Sequence, residues 1–212
     1  MPYISEFSNR VINADCLAVL PQLPEGSVDF VLTDPPYLVS YRDRRGRGIA
    51  GDVDGRWLKP AFAEVFRVLK SGRFCVSFYG WNKVDEFLAA WRAAGFHPVG
   101  HLVWVKSYAS KRGMLASQHE QAYLLAKGQP GRPAHPLSDV LDWQYTGNRL
   151  HPTQKPVRSL KAVIETFTRP GEVVLDPFCG SGSTLLAAKI LGRQYVGIDL
   201  DAGYCQAARR RL

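Results

Sequence analysis

Short apolar runs alternate along this chain with longer stretches in which apolar positions recur at helical spacing. The runs, at Arg10–Asn13, Val28–Thr33, Phe74–Phe78, Val99–Val105, Ala122–Leu125, Val173–Leu175 and Tyr195–Ile198, read as strands. The stretches at Trp57–Leu69, Lys83–Ala94, Val157–Thr166, Thr184–Leu191 and Ala202–Arg211 read as amphipathic helices. Ser71-Gly72, Gly95 and Gly192 follow helical patterns, where a left-handed C-terminal cap is wanted. Strands alternating with helices predict an α/β fold: a mostly parallel, seven-stranded sheet with helices on both faces.

Two stretches fit neither pattern: Leu38–Gly55, rich in Arg, Gly and Asp, and Gly128–Leu150, rich in Pro, Gly and polar residues. Long irregular loops in a compact domain are usually functional lids or disordered segments. A chain of 212 residues supports one sizeable core, so residues 1–212 read as a single domain. Apolar residues make up 46% and charged residues 22%, which excludes wholesale disorder. The net charge of +8 favours a polyanionic partner, and Arg42, Arg44, Arg45 and Arg47 concentrate it in the first irregular stretch.

The four cysteines, Cys16, Cys75, Cys179 and Cys205, are scattered without a Cys-x-x-Cys pair, which argues against a zinc site and a disulfide framework. No metal is expected. The opening MPYISEFSNR lacks an apolar signal core, and no run approaches the roughly 18 apolar residues that span a bilayer. The expectation is a soluble, cytoplasmic protein with no membrane partner.

Two of the strand-like runs end in peptides with chemical content. Val173–Leu175 leads into Asp176-Pro177-Phe178-Cys179-Gly180-Ser181-Gly182-Ser183-Thr184 and then a helix. Such glycines let a chain turn sharply and a ligand approach closely. Tyr195–Ile198 ends at Asp199, where a carboxylate can take both hydroxyls of a ribose. The motif lacks the Gly-Lys-Ser/Thr of a phosphate loop, and Asp176 would repel a pyrophosphate. The pattern therefore suits an adenosine cofactor that is cationic and free of phosphate, such as S-adenosylmethionine.

Val28–Thr33 leads into Asp34-Pro35-Pro36-Tyr37. The prolines fix φ and remove two backbone donors, leaving a stiff rim with acceptors at the Asp34 carboxylate and the Pro35 carbonyl. Those acceptors suit the two N–H groups of an exocyclic amine on a flat base. Tyr37 is placed to stack on the base, an interaction worth about 1–3 kcal/mol in single-strand binders.

Together these residues resemble the DNA amino-methyltransferases, which methylate adenine N6 or cytosine N4. The resemblance runs through Asn13–Leu17, Thr33–Tyr37, His151-Pro152-Thr153-Gln154-Lys155-Pro156, Leu175–Thr184 and Gly197-Ile198-Asp199. Catalytic motif first and cofactor motif last is the circularly rearranged order of the family's β group. The resemblance implies the Rossmann-like methyltransferase fold, S-adenosylmethionine as cofactor and double-stranded DNA as substrate. It implies Asp34, Pro35, Pro36 and Tyr37 as the catalytic rim. It puts Asp34, Asp176, Phe178, Gly180, Ser181, Gly182, Ser183 and Thr184 around the cofactor, Asp199 on its ribose, and Asp15 with Cys16 near its adenine. Thr153, Lys155 and Pro156 would close the pocket.

Arg42, Arg44, Arg45, Arg47 and His119 are the candidate DNA contacts, and His119-Glu120 matches a weaker motif lining the base pocket in the family. Trp104 and Lys106 read as a core aromatic and a solvated lysine. Family members usually carry a larger target-recognition segment than residues 106–150 offer here, and a homodimer is suggested by resemblance alone. Asp at the first rim position resembles the adenine-modifying members, giving N6-adenine methylation after base flipping as the expected activity. N4-cytosine methylation, and an inactive DNA-binding module that retains the fold, are the alternatives.

Overall fold

A computed structural model of the chain describes residues 3–41, 46, 48–110, 114–144 and 154–212. The strands are β1 (Arg10–Asn13), β2 (Val28–Thr33), β3 (Leu69–Phe78), β4 (His97–Ser110), β5 (Ser117–Lys127), β6 (Val140–Asp142), β7 (Val173–Asp176) and β8 (Gln194–Asp199). The α-helices are α1 (Cys16–Val19), α2 (Leu58–Val68), α3 (Val84–Ala94), α4 (Val157–Phe167), α5 (Ser183–Ile190) and α6 (Ala202–Arg211). The strands form one sheet in the order β1-β8-β7-β2-β3-β5-β4-β6. Five pairings are parallel, and β5 runs antiparallel to both β3 and β4.

Every residue of the central β2 is buried. Phe30 and Leu32 face a core closed by α4, α5 and α6, whereas Val31 faces a second core closed by α2 and α3. A strand buried on both faces reads as an unbroken apolar run, which is why β2 is plain in the sequence. Trp91 and Phe62 fill one core, and Trp104, Phe30 and Phe78 fill the other, all essentially inaccessible. Burying each such ring stabilises the fold by roughly 1.5–3 kcal/mol.

Three expectations need correction. Among the described residues the sheet has eight strands, because Val140–Asp142 pairs in parallel with β4 at Val103–Val105. It has three residues with only Leu141 partly buried, too little pattern to see. The β4–β5 hairpin extends well past Val105 and starts before Ala122. Ser71-Gly72 does not cap a helix. Leu69 is already extended, with ψ 135°, and Gly72, at φ +72°, lies inside β3 where its register with β2 shifts between Val28 and Phe30. Gly95 caps α3 as expected, at φ +104°; a Cβ there would come within 2.9 Å of the Phe66 ring.

Topology brings the motifs together. β1, β2, β7 and β8 are parallel neighbours or near neighbours, so their last residues, Asn13, Thr33, Asp176 and Asp199, share one edge. The antiparallel turn at β5 brings the start of β5 and the end of β4 to that edge too, since Phe78 at the end of β3 pairs with Ala122. Ligands of open α/β sheets bind at such carboxyl edges.

Candidate active site

A cavity of about 910 Å³ opens along this edge, with both sequence motifs in its wall. At its centre the Asp34 carboxylate accepts the Tyr37 hydroxyl at 2.7 Å through Oδ1 and the Lys155 ammonium at 2.7 Å through Oδ2. Lys155 also donates to the Tyr37 hydroxyl at 3.2 Å, and its Nζ lies 4.8 Å from the centre of the Phe78 ring. Burial raises Asp34 above the usual carboxylate range, against the pull of Lys155. Burial would lower Lys155, but Asp34 and Glu120 outweigh it and hold the ammonium charged. The rim therefore carries donors as well as the expected acceptors.

Lys155 was expected at the cofactor and lines the cavity, but its bond is to Asp34. Its second carboxylate neighbour is Glu120, whose Oε2 is 3.8 Å away. The other oxygen of Glu120, Oε1, accepts from Lys106. Burial raises Glu120, yet Lys155 and Lys106 together bring it below its ordinary value. Lys106 is thus no solvated lysine: its side chain is 12% exposed and sits in the cavity wall beside the Trp143 ring at 5.6 Å. Trp104 is the core aromatic expected, its ring stacked on Phe78 at 4.8 Å.

The register explains why Glu120 rather than His119 enters the site. Glu120 pairs with Trp104, so it shares a sheet face with Trp104 and, one residue pair further along β4, with Lys106. His119 pairs with Val105 on the opposite face, is exposed and does not line the cavity.

The other half of the cavity is acidic. Asp176 is buried, and burial pushes its carboxyl up to about 7 even though the Phe178 amide donates to it at 3.1 Å. The Asp199 carboxylate accepts the amides of Gly180 and Asp201, each at 2.8 Å, one to each oxygen. Each oxygen keeps a lone pair for a further donor. Gly180, at φ +49°, carries the turn that aims its amide at Asp199. Arg211 braces this turn from α6, donating to the Ser181 carbonyl at 2.5 Å and to the hydroxyls of Ser181 and Ser183 at 3.2 and 3.3 Å.

Phe178, Ser181, Ser183, Thr184, Pro35 and Pro36 also line the cavity. Asp15 and Cys16 line it as well; Asp15 caps α1 through the Leu17 amide at 2.9 Å, and burial pushes the Cys16 thiol up to about 12. Two expected cofactor residues stand back from it. Pro156 is the N-cap of α4, and Gly182, at φ +78°, packs where a Cβ would meet Ala208 at 2.8 Å. Arg42, Arg44, Arg45, Arg47 and Thr153 lie outside the described residues.

The irregular stretch after Tyr37 is built around Asp52, whose side chain is buried. Its carboxylate accepts the amides of Val39, at 3.3 Å, and Tyr41, and its carbonyl accepts that of Ser40 at 3.2 Å. Leu38 and Ser40 hold the left-handed region at φ +61° and +52°, a cost that persists only where neighbours over-determine the turn. Trp57 then donates its indole N–H to Gly51 at 2.8 Å.

A DNA methylase family model matches residues 28–140 and 133–210, and the chain belongs to that family of N6/N4 methyltransferases. It is 56% identical over 204 residues to YubD of Escherichia coli (strain K12), by its name a candidate methylase, covering 96% of this chain and 90% of that protein. It is 28% identical over 256 residues to the type II methyltransferase M.HinfI of Haemophilus influenzae, covering 99% of this chain and 69% of that one. Among solved structures it superposes on M1.HpyAVI in complex with SAM with a TM-score of 0.74 at 25% identity, covering 96% and 99% of the two chains.

Proposed function

We propose that this DNA methylase uses S-adenosylmethionine to methylate the exocyclic N6 amine of adenine in duplex DNA after the base has left the stack. The observation that carries the reading is the single cavity shared by the Asp34–Tyr37 rim and the Asp176 and Asp199 carboxylates. Its acidic half suits a ligand bearing a sulfonium and an ammonium and no phosphate. Asp199 would take the ribose hydroxyls on its spare lone pairs, Asp176 would face the cationic methionine part, and Gly180 and Ser181 would let that part lie close to the backbone. When bound, S-adenosylmethionine supplies an electrophilic methyl on sulfur.

The rest of the chemistry falls to the chain. An aromatic amine attacks poorly while its lone pair is delocalised into the ring. Asp34 and the Pro35 carbonyl hold its two N–H groups and draw the nitrogen towards tetrahedral geometry, while Tyr37 supports the ring. The amine nitrogen held in this way would take the methyl that the cofactor would supply, leaving sulfur its bonding pair, and the surplus proton on nitrogen would pass to the Asp34 carboxylate. Extruding the base costs a few kcal/mol, which stacking in the pocket offsets in part. The basic sequence Arg42–Arg47 and the exposed His119 are our candidate phosphate contacts, a role that salt would weaken.

The preference for adenine rests on Asp34 at the first rim position; N4-cytosine methylation is the second reading. Incubation with duplex DNA and S-adenosylmethionine, digestion to nucleosides and mass spectrometry separates them. N6-methyladenine is expected; N4-methylcytosine selects the second reading, and no methylated base leaves a DNA-binding module. Asp34→Ala should abolish product while cofactor binding persists, and turnover by that variant would remove Asp34 from the mechanism.

A further inference from the structure

As it stands Asp34 is a weakened acceptor for an incoming amine. Tyr37 holds Oδ1 and Lys155 holds Oδ2, and although each oxygen keeps a lone pair, an ammonium at 2.7 Å draws off the electron density that the amine's N–H groups would need. The way out is built into the wall. Glu120 Oε2 lies 3.8 Å from the same ammonium, so a movement of about 1 Å brings Lys155 to charge-assisted bonding distance of Glu120. Lys106 holds Oε1 and so leaves Oε2 facing Lys155. The ammonium sits over the Phe78 ring, which attracts a cation on its face. It changes no net charge, since Asp34 and Glu120 balance Lys106 and Lys155, and it exposes no ion to water. The Lys155 and Glu120 side chains are only 7% and 21% exposed.

We propose that the target amine displaces Lys155 from Asp34 to Glu120, making Lys155 a carboxylate-exchanging cation and Glu120 the positioning residue that receives it. The inference rests on the amine-methylating reading above. Asp34 is masked until a base arrives, which keeps a buried carboxylate satisfied in the empty enzyme. Base entry then unmasks it. Glu120 touches neither base nor cofactor in this scheme; it acts through Lys155.

The test compares wild type with Glu120→Gln, which keeps the shape and removes the charge. Single-turnover methyl transfer at saturating cofactor is followed from pH 7 to 9 on a short duplex carrying a site that the wild type methylates. The groups facing Lys155 are Asp34 and Tyr37 after β2, Glu120 on β5, Lys106 on β4 behind Glu120, and Asp176 on β7. With Glu120 neutral, the amine of Lys155 can leave Asp34 only by losing its proton. The variant should be slower by roughly 10- to 100-fold at pH 7 and should recover by up to about tenfold per pH unit, while the wild type has no such slope. A structural role for Glu120 would lower the rate without changing the profile, and that result, or an unaltered rate at pH 7, overturns the proposal.

A second readout needs no turnover. In protein labelled with ¹⁵N-lysine, the Lys155 ammonium resonance, identified by its loss in Lys155→Met, should shift when the duplex and S-adenosylhomocysteine bind to wild type. It should stay in place in Glu120→Gln. A resonance that moves equally in both, or in neither, counts against the exchange. If wild type methylates no DNA, the functional reading falls and the exchange falls with it; if wild type turns over and the variant profile is flat, only the exchange falls.

Discussion

The indole of Trp57 packs against the ring of Phe178, with centroids 4.9 Å apart and planes tilted by 59°. One ring follows the loop leaving Asp34 and the other belongs to the glycine motif, so this contact joins the two halves of the site across the sheet edge. Trp57 also pins the Gly51 carbonyl. Trp57→Ala should remove an aromatic pair worth about 0.5–1.5 kcal/mol beyond burial. Cofactor affinity measured by calorimetry should fall by roughly 3- to 15-fold, and Trp57→Phe should restore most of it. Equal affinity in all three proteins would show that the contact does not organise the cofactor pocket.

Asp52 is the keystone of the loop that follows the rim. Asp52→Ala strips an acceptor from the amides of Val39 and Tyr41 while Leu38 and Ser40 remain in the left-handed region. The loss should be about 1–3 kcal/mol, a fall in Tm of roughly 2–10 °C for a chain of this size. Hydrogen exchange at Val39 and Tyr41 should accelerate more than exchange in β2. Asp52→Asn, which keeps an acceptor oxygen, should recover part of the loss. A melting temperature within a degree of wild type for Asp52→Ala would contradict this account.

The elements legible in the sequence are those whose pattern is enforced locally. β2, β7 and β8 are buried along nearly their whole length; β2 runs directly into Asp34, and β7 and β8 end at Asp176 and Asp199, so run and terminus are both visible. The outer hairpin was legible only in part. β4 beyond Val105 is largely exposed and β5 begins with Ser117-Gln118-His119, so hydrogen bonding to each other, rather than burial, makes them strands. Helix α2 and strand β3 adjoin without a loop, and Ser71-Gly72 imitates a cap where the chain in fact bulges. In the site, the motif residues were visible because their spacing is fixed by one strand end each. Lys106 and Trp143 depend on sheet order and antiparallel register, which no local pattern encodes, and Glu120 was visible only through the resemblance of His119-Glu120 to a family motif.

Arg211 lies on α6, far from the glycine motif in sequence, and yet it satisfies the Ser181 carbonyl and two hydroxyls. Burial lowers its guanidinium from the ordinary value, a cost accepted for three bonds. Hydrogen bonds to a charged group are worth about 1.5–3 kcal/mol each when removal leaves a partner unsatisfied, and the turn they brace aims the Gly180 amide at Asp199. Arg211→Met should therefore weaken cofactor binding by roughly tenfold or more. Arg211→Lys should recover part of the loss, because all three bonds come from one nitrogen, Nη1, and an ammonium offers three donors. Cofactor binding by Arg211→Met indistinguishable from wild type would mean that the turn holds its shape without the brace.

Asp176 gives the site a pH dependence of defined sign. Burial pushes its carboxyl to about 7 in the folded protein, against 3.8 for the free group. Between those values the folded chain holds a proton that the unfolded chain has released, so stability declines as pH rises from about 4 to about 7 and is level above it. The decline is on the order of a few kcal/mol, and Asp176→Asn should flatten it. A cation bound at Asp176 reverses the preference by favouring the carboxylate. S-adenosylmethionine should accordingly bind more tightly at pH 8 than at pH 6 and release a proton on binding near pH 6.5. Calorimetry in two buffers of different ionisation enthalpy reads that proton directly, and Asp176→Asn should release none from this position. Proton uptake in wild type, or an affinity that falls with rising pH, would place the cationic part of the cofactor away from Asp176.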